Sequence, residues 1–288
     1  MFFDLIDNIR VLKIKNAHHY GILHIKHYFD KNNSRDLLAS YSYENSIKLW
    51  NINTMECIAV IDILSSFDDE DIILNSLFFM NLKNQINIVA PFVFKKNCEK
   101  IAFYDLKGIK MKEITFNIKN HNVLNTNYYY DQKRQKNYIV FGGSGYLKSF
   151  DVNKNDLYKI YSNNDNILNN QIIIYDKDKK IKVISSGDGL IRIWNFHSGD
   201  LLNKLKVNSR KYNIPVICIW NNDYLIGACE SCGLKIFDLK YEKIPQVMSG
   251  FGDCSCAKKI IHPIYGESLL VLSTANNIRY LCIAINKK

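Results

Sequence analysis

The chain is 288 residues long, 47% hydrophobic and 12% aromatic, with only 4 Pro and 13 Gly. Such a composition can bury a substantial core, and it excludes a disordered or collagen-like chain. The formal net charge of +10 permits attraction to acidic proteins, nucleic acid or anionic lipid, but the basic residues are scattered, so charge selects no partner.

At the N-terminus, MFFDLIDNIR places Asp4 and Asp7 inside what would have to be the apolar centre of a signal peptide, which argues against secretion. No apolar run approaches the ~20 residues of a spanning helix. Eight Cys without a secretory signal read as reduced thiols. The expectation is a cytoplasmic or nuclear protein, neither secreted nor membrane-bound. Residues 8–15 read as an outer β-strand, and His18 and His19 fall in the loop after it. An inner strand begins at Ile22 and Ile25, followed by strands over 37–43, 46–52 and 57–61. A second set is expected at 72–79, 85–94, 100–105 and 111–116. The acidic loop Asp68 to Asp71 before it lacks the Gly and terminal Glu spacing of a calcium loop. The third set lies at 123–130, 138–142, 146–151 and 157–161, with Gly142, Gly143 and Gly145 easing the middle turn. A fourth runs from Gln171 to Val207 and a fifth from Ile214 to about Val247. The sixth has strands near 257–261, 268–273 and 277–285, with no fourth strand. The spare strand over 8–15 can cover that outer edge, which would otherwise invite aggregation.

The sets share a frame. ASYSYENSIKLWN, ending at Asn51, and SSGDGLIRIWN, ending at Asn195, both carry small polar residues, an acid six before the Trp and a base two before it. NCEKIAFYD, GGSGYLKSFD and ESCGLKIFD end at Asp105, Asp151 and Asp238, and in STANNIRYLC Leu281 takes the aromatic place. Successive aromatic positions follow at roughly 44-residue steps, the first step about ten longer, and Phe3-Asp4 looks like the tail of one more copy. Short strands at such a period suit a four-stranded propeller blade. Trp50-Asn51 and Trp194-Asn195 resemble the Trp-Asp pair of WD repeats of the G-β type, with Tyr104-Asp105, Phe150-Asp151 and Phe237-Asp238 as aromatic-Asp variants. The resemblance covers nearly the whole chain and is most specific in two repeats. It implies an all-β fold, a β-propeller of four-stranded antiparallel blades. The count gives six blades in one domain, residues 1–288, with the strand over 8–15 closing the last. Propellers of this family more often have seven, so seven blades is the alternative if the chain is a fragment.

The resemblance also assigns roles. In well-formed WD repeats a loop His, a turn acid, a strand Ser or Thr and the Trp form a buried hydrogen-bonded set that locks the blade. His18, Ser40, Glu44 and Trp50 match it in the first blade; Ser185, Asp188 and Trp194 match it in the fourth, without a His in the preceding loop. Cys98, Ser144 and Ser231 hold the turn place elsewhere and are not acidic. A lock is preferred to a catalytic triad, because no nucleophile in a cleft is indicated beside the His–carboxylate pair. Phosphate-loop, HExxH, GxSxG and dinucleotide motifs are all missing.

Cys229-x-x-Cys232 sits at a middle hairpin turn and Cys254-x-Cys256 in the loop leading to the next blade. In a propeller both loops emerge on one face, so four thiolates could meet a tetrahedral zinc ion; small core thiols are the preferred account. His18, His19, His24 and His27 are a poorer metal set, since His24 and His27 face opposite sides of a strand. The expectation is no cofactor, no metal and no enzymatic activity. The expected function is a protein-docking scaffold within a multiprotein complex, contacting proteins or peptides through loop residues Tyr43, His121, Arg210, Lys211, Tyr212 and Phe251. An RNA-associated or zinc-binding propeller subunit is the alternative.

Overall fold

The computed structural model describes residues 2–3, 10–12, 14, 16–63, 72–74, 77–82, 85–94, 98–117, 123–168, 171–177, 180–206, 216–220, 224–229, 233–239, 243–248, 254–262, 266–273 and 278–281. Side chains are described for most of these residues as far as Leu239 and for none beyond it. The described residues are all β: they contain no helix, and therefore none long and apolar enough to cross a membrane.

Among the described residues, six sheets of three or more strands follow one another along the chain, each made of consecutive strands. The first holds Ile22–Asp30, Arg35–Ser42, Ser46–Asn51 and Glu56–Asp62. In the second, Gln85–Phe94, Cys98–Tyr104 and Lys110–Asn117 are joined by a divided first element, Ile72–Leu74 and Phe78–Leu82, both pairing with Gln85–Phe94. The third comprises Val123–Asp131, Lys136–Asp151 and Asp156–Leu168. Its long middle segment reverses on itself: the Val152 N–H donates to Asn137 O at 2.9 Å, and Gly145 takes φ +86°. The expected turn at Gly142 to Gly145 is thus present. The fourth sheet orders Gln171–Lys177, Lys180–Gly187, Leu190–Asn195 and Leu201–Lys206. The fifth orders Val216–Trp220, Tyr224–Cys229, Gly233–Asp238 and Lys243–Met248, and the sixth Cys254–His262, Gly266–Ser273 and Ile278–Leu281.

Period-two alternation explains how these sheets bury themselves. In the first, Leu37, Ala39, Tyr41, Ile47, Leu49, Ala59 and Ile61 lie on one face and form a single core with Leu77, Phe79, Ile88, Ala90, Phe92, Ala102 and Tyr104 of the second. Between the fourth and fifth, Tyr175, Ile184, Ile191, Ile193 and Leu205 pack with Leu225, Phe237 and Leu239. The reverse face of the first sheet is different: Leu23, Ile25, Phe29, Ile58 and Val60 are exposed.

One hairpin recurs at the aromatic place. Asn51, Asp105, Asp151 and Asn195 each accept backbone N–H groups of the following turn on their side-chain oxygen, at 2.8 to 3.0 Å. Each turn then closes on a left-handed residue: Met55, Gly108, Asn155 or Gly199. Register slips at Leu49/Trp50, Phe103/Tyr104 and Ile193/Trp194, so a bulge accompanies the aromatic residue. The Asn and Asp of the frame are therefore Asx-turn residues.

The chain, expected as one domain, divides into two compact units. One is Met1–Phe2, Leu12–Ile139 and Asp151–Asp156; the other is Phe3–Val11, Val140–Phe150 and Leu157–Lys288. The boundary passes through the third sheet, between Ile139 and Val140 and again between Phe150 and Asp151. Of the strand expected over 8–15, Arg10–Leu12 is a strand, and its described partner is Phe2–Phe3, in a two-stranded sheet. Phe3 holds the aromatic place, and Arg10–Leu12 follows it at the distance of the outer strands after Trp50 and Trp194. The expected strand over 72–79 is two strands instead. The polar pair Asn75-Ser76 falls between the two strands and is the sequence signal of the interruption.

Candidate functional site

The best-formed polar site lies on the first sheet. Strand Arg35–Ser42 carries Ser40 opposite Lys48, two residues before Trp50, so Ser40 and Trp50 share a face. The Trp50 Nε1–H donates to Ser40 Oγ at 2.9 Å. Ser40 Oγ lies 2.7 Å from His18 Nε2, and His18 Nδ1 lies 2.6 Å from Glu44 Oε1. If each hydrogen has one acceptor, the chain of bonds reads indole to serine, serine to imidazole, imidazole to carboxylate. That assignment makes His18 neutral with its proton on Nδ1. Glu44 is held further by the Ser46 hydroxyl at 2.6 Å and the His19 N–H at 2.9 Å, with Lys48 Nζ 3.5 Å away.

Electrostatics follow the geometry. The His18 side chain is 0% exposed, and burial holds its pKa below the ordinary value against the opposing pull of Glu44. Burial raises the Glu44 carboxyl, but hydrogen bonds from Ser46, His19 and His18 outweigh it and bring the group down to about 2. The spacing is that of a Ser–His–carboxylate triad. However, Ser40 is only 1% exposed, and its oxygen already receives the indole proton.

The fourth sheet has a partial version. Trp194 Nε1–H donates to Ser185 Oγ at 3.0 Å, and the turn Asp188-Gly189 has both residues left-handed, the two-residue hairpin its sequence calls for. Arg192, at the place of Lys48, is buried and lies 3.8 Å from Asp188. Burial lowers the Arg192 pKa, with Asp188 opposing. This acid–base pair was not anticipated, although the base two before each Trp was its signal. In the second and fifth sheets the serine place is altered together with the aromatic one. Tyr104 pairs with Ile88, putting Ala90 at that place, and Phe237 pairs with Leu225, putting Gly227 there. A Cβ on Gly227 would stand 3.2 Å from the Phe237 ring, so glycine makes room for it.

Among the expected contact residues, Tyr43 is 68% exposed in the turn beside Glu44. Its N–H donates to Gly21 O at 3.2 Å, and its ring lies over Gly21. Tyr20, 66% exposed, sits in the loop after His19; sequence reasoning missed it, because a lone loop tyrosine has no periodic signal. His121, Arg210, Lys211, Tyr212 and Phe251 lie outside the described residues. The histidines are not brought together: His27 Nε2 is 2.7 Å from Asp36, while His24 stacks near Tyr41. Among the described residues no three His, Cys, Asp or Glu side chains could share a metal ion. Cys232 lies outside that set, and for Cys229, Cys254 and Cys256 only the backbone is described. The turn residue Ser231 is also outside it, whereas Cys98 begins a strand and Ser144 lies in the reversing segment. No protein-family model matches the chain, and no curated protein matches it.

Proposed function

We propose that this chain is a divergent WD-repeat β-propeller of six blades that serves as a non-catalytic docking platform in a multiprotein complex. The observation that carries the reading is the Trp50–Ser40–His18–Glu44 network, which fixes a rigid turn directly beside the exposed Tyr20 and Tyr43. Rigid aromatic side chains held on loops lose little entropy on binding, which favours protein contacts. A buried serine whose oxygen is occupied by an indole N–H supports a lock over a nucleophile. Grouping of Phe3–Val11 with the C-terminal unit supports ring closure by the N-terminal segment. A seven-bladed ring is the second reading, favoured by the hairpin-like offset of Phe2–Phe3 and Arg10–Leu12.

Affinity purification of wild type and a Tyr20→Ala, Tyr43→Ala double variant tests the docking role. The double variant should lose at least one co-purifying protein while its stability changes by no more than ~0.5 kcal/mol, as for ordinary surface sites. Retention of every partner, or turnover of a substrate that His18→Ala abolishes, would overturn it. Salt-sensitive RNA in the wild-type eluate would favour the nucleic-acid alternative.

A further inference from the structure

We propose that the outer strand of the first sheet, Glu56–Asp62, is a docking edge for an extended segment of a partner protein, uncharged along its middle and basic at both ends. The inference concerns one sheet and does not rest on the propeller reading. A strand that ends a sheet presents a row of backbone N–H and C=O groups to any chain that can lie beside it. Glu56–Asp62 pairs on one side with Ser46–Asn51, and among the described residues no strand pairs with the other side.

Natural proteins blunt such an edge with charged side chains, Lys above all, or with Pro. The last strands of the other sheets carry these guards. Lys112 lies in that of the second sheet, Lys159 in the third, Lys204 in the fourth, Pro245 in the fifth and Arg279 in the sixth. The run Cys57-Ile58-Ala59-Val60-Ile61 has none. Three of its five residues are β-branched, which suits strand pairing. It is also accessible: Ile58 is 40% and Val60 58% exposed. Ala59 and Ile61 turn inward, with the Gly108 turn of the second sheet against them.

The charges choose the occupant. Glu56 and Asp62 are exposed acids that bracket the run. A second copy of the strand, laid antiparallel over its whole length, would set Glu56 opposite Asp62 at both ends. Like charges directly opposite are unfavourable. A segment with Lys or Arg at each end meets the same two acids favourably. Backbone hydrogen bonds then supply affinity, and side chains beside Val60 supply specificity.

The test measures binding of two labelled seven-residue peptides, KVTVTVK and EVTVTVE, to the full chain by fluorescence anisotropy. The basic-ended peptide should bind at least about tenfold more tightly. Val60→Lys restores a guard and should weaken that binding at least about tenfold, with the melting temperature unchanged. Glu56→Lys together with Asp62→Lys should reverse the preference. Amide exchange in the wild type reads the same edge without any substitution: residues 57–61 should slow when the basic-ended peptide is added. Binding of neither peptide, equal binding of both, or binding without slowing at 57–61 overturns the proposal. Self-association of the wild type that Val60→Lys abolishes gives the edge to a second copy, and overturns it as well.

Discussion

At the scale of single residues, the His18–Glu44 pair makes stability depend on acidity in a defined direction. His18 resists protonation when folded, whereas unfolded it takes a proton near its ordinary 6.5. Its contribution is therefore complete above that value and fades as the pH falls below it. Glu44, held at about 2 against an ordinary 4.5, keeps its contribution above 4.5 and loses it between those two values. Asp30 and Glu113, also lowered, lose theirs in the same acid range. The melting temperature should accordingly be flat between about pH 7 and 9, fall in a first stage below 6.5, and fall again below 4.5. His18→Gln should be less stable throughout and lack the first stage. If wild type and His18→Gln show parallel pH profiles, the buried neutral imidazole is wrong.

At the scale of the element, the recurring hairpin is where local chemistry decides. Gly199 has φ +84°, and a Cβ there would meet Ile160 O at 3.0 Å and Lys159 Cδ at 2.9 Å. Gly199→Ala should cost about 1–2 kcal/mol. Ser34 is left-handed too, but exposed, so Ser34→Gly should be neutral or gain up to ~1 kcal/mol. Denaturant midpoints would expose an error if the two shifts shared a sign. These hairpins also show what sequence could reveal. Aromatic-Asx pairs were legible because a side-chain acceptor must follow the strand to hold the turn. The left-handed places at Met55 and Gln135 were not, since neither residue type marks such a backbone. Asp30 and Asp131, which organise the first-to-second-strand turns through Asn33, Arg35 and Arg134, were passed over for the same reason. Their acceptors matter only once the turn exists. The set His18, Ser40, Glu44 and Trp50 was legible through the resemblance to WD repeats, which names those positions, and hydrogen bonds join all four.

At the scale of the whole molecule, the bare face of the first sheet bears most directly on stability. Val60 is 58% exposed while Ala59 and Ile61 on the other face of its strand are buried, and Ile25, in a strand exposed along most of its length, is equally bare. Apolar surface on this scale ordinarily has a cover. Closure of the sixth sheet by the N-terminal segment, as proposed, predicts separately that deleting residues 1–12 lowers the melting temperature by at least about 5 °C, equivalent to roughly 2 kcal/mol, and promotes self-association. A truncated chain that stays monomeric and melts unchanged would exclude that closure.

The serine and aromatic places of a sheet are energetically coupled through the indole hydrogen bond. Losing Ser185 while Trp194 remains would strand a buried indole donor, at about 1–3 kcal/mol. Losing the indole first leaves a hydroxyl that can turn to a backbone carbonyl, as Ser40 can to Lys48 O at 3.5 Å. Where Phe237 sits against Gly227, neither an indole donor nor a hydroxyl is left to satisfy.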